Sequence, residues 1–127
     1  MVFRDTSAWY HLVFILDATN SSAKLYVNGS EVTDWNTNNN PTNQNYQINA
    51  TTQHFLGRYG NTFGSYSDKS FDGYMAEVNF IDGQAYDPSY FGETDTTTGQ
   101  WIPKQYTGSY GTNGFYLKFA DNSGTTA

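Results

Sequence analysis

Two acids in the stretch FDGYMAEVNFID, residues 71–82, are the strongest candidates for covalent chemistry in this chain. A retaining sugar-cleaving enzyme needs a nucleophilic carboxylate and an acid/base carboxyl about 5 Å apart. One strand supplies both when an even spacing puts them on the same face. Glu77 and Asp82 stand at an odd spacing, which sends them to opposite faces of a regular strand, and residue 79 between them is Asn. The spacing therefore predicts the wet positions of a strand, with Glu77 facing solvent or anchoring a turn. Glu93 and Asp95 stand at an even spacing, but in a Thr-rich stretch with no further acid at the needed distance.

His11 and His54 are far apart in sequence, with no Ser, Cys or metal-ligand spacing beside either. His11 is read as a packed or hydrogen-bonded structural residue next to Trp9, and His54 as a surface or edge position. Binding chemistry is better represented. Trp35, Tyr46, Tyr59, Phe63 and Tyr66 sit in or beside polar loops rich in Asn and Ser. Flat apolar rings beside amides that hydrogen-bond hydroxyls are what a saccharide site needs. The competing reading is that these rings pin the loops to the body of the protein. Asn20, Asn28 and Asn49 form glycosylation sequons, which matter only in a glycosylating secretory pathway.

The elements that must position these residues are strands. The 127 residues have room for one domain, 18% of them are aromatic and only 14% charged, and Gly and Asn are abundant. The net charge of −6, with six Lys and Arg that never cluster, argues against nucleic acid and anionic membrane surfaces. No apolar run approaches the roughly 20 residues of a spanning helix. Cysteine is absent, which leaves the compartment open. The opening MVFRDTSAWY lacks the basic head and apolar stretch of a signal peptide.

AWYHLVFILDA (8–18) reads as a core strand covered on both sides, with Leu12, Phe14 and Leu16 on one face and Val13 and Ile15 on the other. Residues 23–34 read as a hairpin turning at Asn28-Gly29. Residues 34–52 are a long polar loop, 54–60 a short strand, and 71 onward a long strand ending in a Gly turn. Asp87-Pro88 opens a turn or short helical start. Residues 93–112 begin with a Thr-rich, linker-like run, and FYLKFA is a final strand.

The ordered set Trp9 and His11, Asp17, Leu25 to Gly29, Leu56-Gly57 and Phe71 to Val78 resembles the laminin G-like, concanavalin A-like family. The resemblance implies an all-β, antiparallel jelly-roll β-sandwich. It covers most of residues 8–91, the central and C-terminal part of such a domain. The sandwich is therefore expected to be incomplete: residues 1–92 form part of it, 93–112 link, and 113–127 begin a second module or close the sheet. Glucanases of the same class carry a Glu-x-Asp-x-(x)-Glu run that the Asn at 79 breaks, so no enzyme is expected. Family members often bind calcium through rim-loop oxygens, which makes Asp68, Asp72, Asp82 and the Asn-rich loop the candidate Ca2+ ligands. FIDGQAYDPSYFGETDT and WIPKQYTGSYGTNGFYLKFADNS are similar to lectin-like modules in bacteriophage structural and tail proteins.

The resulting expectation is a non-catalytic carbohydrate-binding or adhesion module of a virion or extracellular protein, taking host-surface glycans as partners. The alternatives are a virion module that binds other virion proteins or the rest of its parent chain but no sugar, and a glycoside hydrolase, which the missing carboxylate disfavours.

Overall fold

Alternating β-branched and aromatic residues make the first strand, and a local turn signal folds the next two back on it. In the computed structural model, which describes residues 3–37, 39–58 and 70–120, β1 (Leu12–Asp17) is followed by β2 (Ser22–Val27) and β3 (Ser30–Glu31). They form an antiparallel sheet in the order β1-β2-β3, with Leu12 opposite Val27 and Asp17 opposite Ser22. Asp17 shapes the first connection by accepting from the Asn20 N–H and side-chain amide, at 3.0 and 2.7 Å. Asn28 and Gly29 take positive φ, 49° and 78°, in the expected two-residue turn.

Two further antiparallel pairs complete the described strands: β4 (Val78–Phe80) with β7 (Phe115–Leu117), and β5 (Gly92–Thr94) with β6 (Trp101–Pro103). A single 3-10 turn, Pro88–Tyr90, precedes β5. Asp87 caps it by accepting from the Ser89 N–H at 2.8 Å, with Pro88 supplying a preset φ at its start. Among the described residues the secondary structure is thus all-β apart from one 3-10 turn, as composition predicts. Among the described residues no helix is long and apolar enough to cross a membrane.

The chain divides into two units, each built from separated stretches: 1–45 with 83–109, and 46–82 with 110–127. The first holds β1-β2-β3, the 3-10 turn and β5–β6. Its core is small: Val27 at 2% exposure, Phe91 and Tyr106, with the Phe91 and Tyr106 rings 5.1 Å apart. The second holds β4–β7, where Phe80 stacks on Phe115 at 5.4 Å.

Four readings of the sequence change. β1 is not covered on both sides, because Leu12 and Phe14 are 55% and 61% exposed while Val13, Ile15 and Leu16 are half-buried. The long strand from 71 contracts to Val78–Phe80, because Glu77 adopts a left-handed φ of 54° and breaks the extended run just before it. The expected strand at 54–60 appears, in its described part, as an isolated bridge between Arg58 and Ser70. The Thr-rich run after Glu93 is the bend of a hairpin. There Asp95 accepts from the N–H groups of Thr97 and Thr98 and from the Thr98 hydroxyl, turning the chain between β5 and β6.

Candidate functional site

The Asn-Gly turn and the β5–β6 hairpin together build a cleft of about 520 Å³ in the first unit, within the usual span of ligand sites. Trp9, Asn28, Ser30, Thr94, Gln100 and Trp101 line it, and none of its lining side chains carries a charge. Trp9 enters from the segment before β1 and is 67% exposed, an open apolar plate. Trp101, the first residue of β6, is half-buried and held from several sides.

Glycine makes room for Trp101. A methyl built at Gly29 would come within 2.5 Å of the indole atoms Cε3 and Cζ3, and one at Gly92 within 2.5 Å of Cε2, Cζ2 and Nε1. Gly29 therefore serves twice, once for its positive φ and once for this close approach. The indole N–H of Trp101 donates to His11 Nδ1 at 2.9 Å, and the two rings lie 5.9 Å apart. Because an indole nitrogen only donates, His11 must accept at Nδ1 and carry its proton on Nε2. Burial holds the His11 pKa below its usual 6.5, favouring this neutral form. Asn28 is tied to the same residue: its N–H donates to His11 O at 2.8 Å, and its Oδ1 accepts from His11 N at 2.9 Å. What Asn28 retains for a ligand is its Nδ2 donor.

Trp35, expected as a binding ring, instead lines a smaller groove of about 230 Å³ in the first unit, with Phe14, Lys24, Leu25, Thr37 and Asn39. Its own indole N–H is spent on Val32 O at 2.7 Å, which pins the start of the loop. Tyr46 belongs to the second unit, so these two are not brought into one site within either unit. Tyr59, Phe63 and Tyr66 lie outside the described residues.

Two acids of the second unit act as ties. Glu77 accepts from the Tyr116 hydroxyl across β4–β7. Asp82 accepts from Asn49 Nδ2 at 2.7 Å with one oxygen and from the Asn113 N–H at 3.1 Å with the other. Asp72 is exposed, and Asp68 lies outside the described residues. Among the described residues no group of three or more His, Cys, Asp or Glu is placed to hold a metal ion. His54 bridges two backbone carbonyls, Thr52 O at 2.7 Å and Gln47 O at 3.1 Å.

Sequence reasoning missed the cleft because its halves are distant: His11 and Trp101 are 90 positions apart. The available signal was a Trp following directly on a stretch of turn-forming residues, here Thr98, Gly99 and Gln100.

Residues 3–87, two thirds of the chain, match the family described as the concanavalin A-like lectin/glucanases superfamily. No curated protein and no solved structure matches the chain. Trp9, Asn28 and Ser30 fall inside the matched stretch, while Thr94, Gln100 and Trp101 fall beyond it.

Proposed function

The chain belongs to the concanavalin A-like lectin/glucanases superfamily, and we propose that it is a non-catalytic carbohydrate-binding module that takes neutral saccharides in the Trp9–Trp101 cleft. The observation that carries this reading is the cleft's lining: two indoles among Asn, Ser, Thr and Gln, without a charged side chain. A pyranose offers an apolar C–H face and a rim of hydroxyls. Indoles pack against the first, and amides and hydroxyls pair with the second. An anionic sugar would leave its carboxylate in this cleft without a cationic partner, at a desolvation cost.

The non-catalytic part is supported by Glu77 and Asp82, two of the three acids of the stretch 71–82. Glu77 and Asp82 are engaged by different partners, Tyr116 on one side and Asn49 with Asn113 on the other, which supports a tying role for each over a shared catalytic one. The biological setting we propose is a virion or tail-associated protein recognising host-surface glycans. Its support is the wording of residues 80–96 and 101–123, which resembles phage modules and supplies Thr94 and Trp101 of the cleft wall.

Titration with maltotriose, cellotriose and galactobiose, read by tryptophan fluorescence and calorimetry, tests the reading. Trp9→Ala is expected to weaken binding by about tenfold or more, as the loss of an aromatic anchor does. Trp35→Ala should leave it within about twofold. Failure of all three sugars to bind, or release of reducing ends from them, overturns the proposal. A second reading, a protein-interaction module, is favoured by the exposed Leu12 and Phe14 on β1. It predicts a Phe14→Ser variant that loses self-association or partner capture while sugar titrations stay silent.

A further inference from the structure

We propose that His11 is the positioning residue of this cleft, an acid-sensitive latch whose neutral Nδ1 fixes the Trp101 wall and which releases it on protonation. The proposal rests on the saccharide reading for its consequence but not for its mechanism. The flat contacts of Gly29 and Gly92 keep the indole in its slot without choosing a direction for its N–H. The hydrogen bond to His11 chooses it. The same histidine holds the other wall, since its backbone N–H and C=O both pair with Asn28. One residue thus sets the position of two cleft residues from opposite ends of the sequence.

Protonation cannot leave this arrangement intact. An imidazolium carries hydrogens on both nitrogens and has no acceptor left for the indole N–H. The two N–H groups would then point at one another, and the indole edge that faces the ring is its positive rim. From the β2–β3 turn it is Asn28 that faces His11 and from β6 it is Trp101, both uncharged, and burial disfavours the charged ring. Among the described residues no carboxylate forms an ion pair with His11 to stabilise the cation. The sign follows: the folded pKa lies below 6.5, so the unfolded chain binds the proton first. The latch is fully made above 6.5 and is lost as pH falls through the lower folded value.

The first measurement uses the intact chain without sugar. The Trp101 indole N–H resonance, assigned against Trp101→Phe, is followed from about pH 7.5 to about pH 5, together with the ring nitrogen shifts of His11. The nitrogen shifts are expected to report the Nε2–H form at neutral pH, and the indole resonance to move as that form disappears. In His11→Gln the side-chain carbonyl can still accept from the indole but does not titrate, so the resonance should hold still over the same range. The second measurement repeats the maltotriose, cellotriose and galactobiose titrations across that pH range. Affinity in the natural chain should fall by about tenfold towards the acid end, the worth of one lost hydrogen bond, and stay flat in His11→Gln.

An indole resonance that ignores pH, or an Nδ1–H form of His11 at neutral pH, overturns the latch whether or not any variant folds. Sugar binding that is equal at every pH overturns it too, while leaving the saccharide reading in place. If the resonance titrates and no sugar binds, the hold of His11 on Trp101 stands and the saccharide reading is the one that fails.

Discussion

At Tyr116 a single proton records what Glu77 does. The phenol donates to the Glu77 carboxylate, and losing that proton would set two negative groups face to face, so its pKa is pushed from 10.0 up to about 12. The folded value lies above the unfolded one. The contribution to stability is therefore complete below pH 10 and disappears as pH rises towards 12. Glu77→Gln keeps the shape of the acceptor but removes its charge. Tyr116 should then ionise closer to 10 than to 12, read as the difference in phenolate absorbance between each background and its Tyr116→Phe partner. If Tyr116 titrates unchanged in Glu77→Gln, the tie is not the cause of the shift. Several aspartates follow the same logic of local anchoring. Asp17 and Asp95 are held below the usual 3.8, Asp17 first by the Asn20 side chain and Asp95 first by the Thr98 N–H. The acidity of this chain is in part turn chemistry, in which single aspartates anchor local bends.

At the scale of elements, the sequence is readable where a local rule decides and unreadable where a distant contact does. The Asn28-Gly29 turn and the Asp87-Pro88 cap were legible because each needs only its own φ preference and one nearby hydrogen bond. The length of β4 was not, because the left-handed Glu77 that cuts it short accepts from Tyr116, 39 positions on. Nor was β5–β6, whose Thr, Gly and Asp composition looks like a linker until Asp95 is seen gathering the bend. A related gap concerns the aromatic rings: composition marks an aromatic as loop-borne but not whether its N–H is already spent, as that of Trp35 is. Gly92 gives this a test. It pairs with Pro103 in the β5–β6 ladder, and a methyl there collides with the Trp101 ring. Gly92→Ala should cost about 1–3 kcal/mol by overpacking and displace the Trp101 indole resonance. Gly83→Ala is the control: unlike Gly92 it sits at a positive φ, 84°, and it meets nothing within 4 Å. It should cost about 1 kcal/mol of backbone strain and leave Trp101 unmoved. Urea midpoints with the indole resonance decide the comparison, and equal displacement of Trp101 by both variants would sink it.

At the scale of the whole molecule, burial among the described residues is distributed unevenly between the two units. Among the described residues every buried one, including Val27, Pro88, Phe91 and Tyr106, belongs to the first unit, and the second has none. The second unit is closed by the Phe80–Phe115 stack and by the hydrogen bonds of Glu77 and Asp82, all long-range in sequence and the hydrogen bonds exposed to water. Exposed polar ties compete with solvent and repay little of the entropy of closing such loops. Apolar burial is what sets local opening free energies apart. The β4–β7 amides should accordingly exchange with solvent at least about tenfold faster than those of the six-residue β1–β2 ladder. Site-resolved hydrogen exchange on the intact chain near neutral pH makes the comparison. A graded pattern means the second unit opens while the first, which carries the cleft, stays folded, so sugar binding should protect β2 and β6 more than β4. Equal protection in both ladders would instead mean that one cooperative structure spans them, and that the few buried residues of the first unit stabilise the second as well.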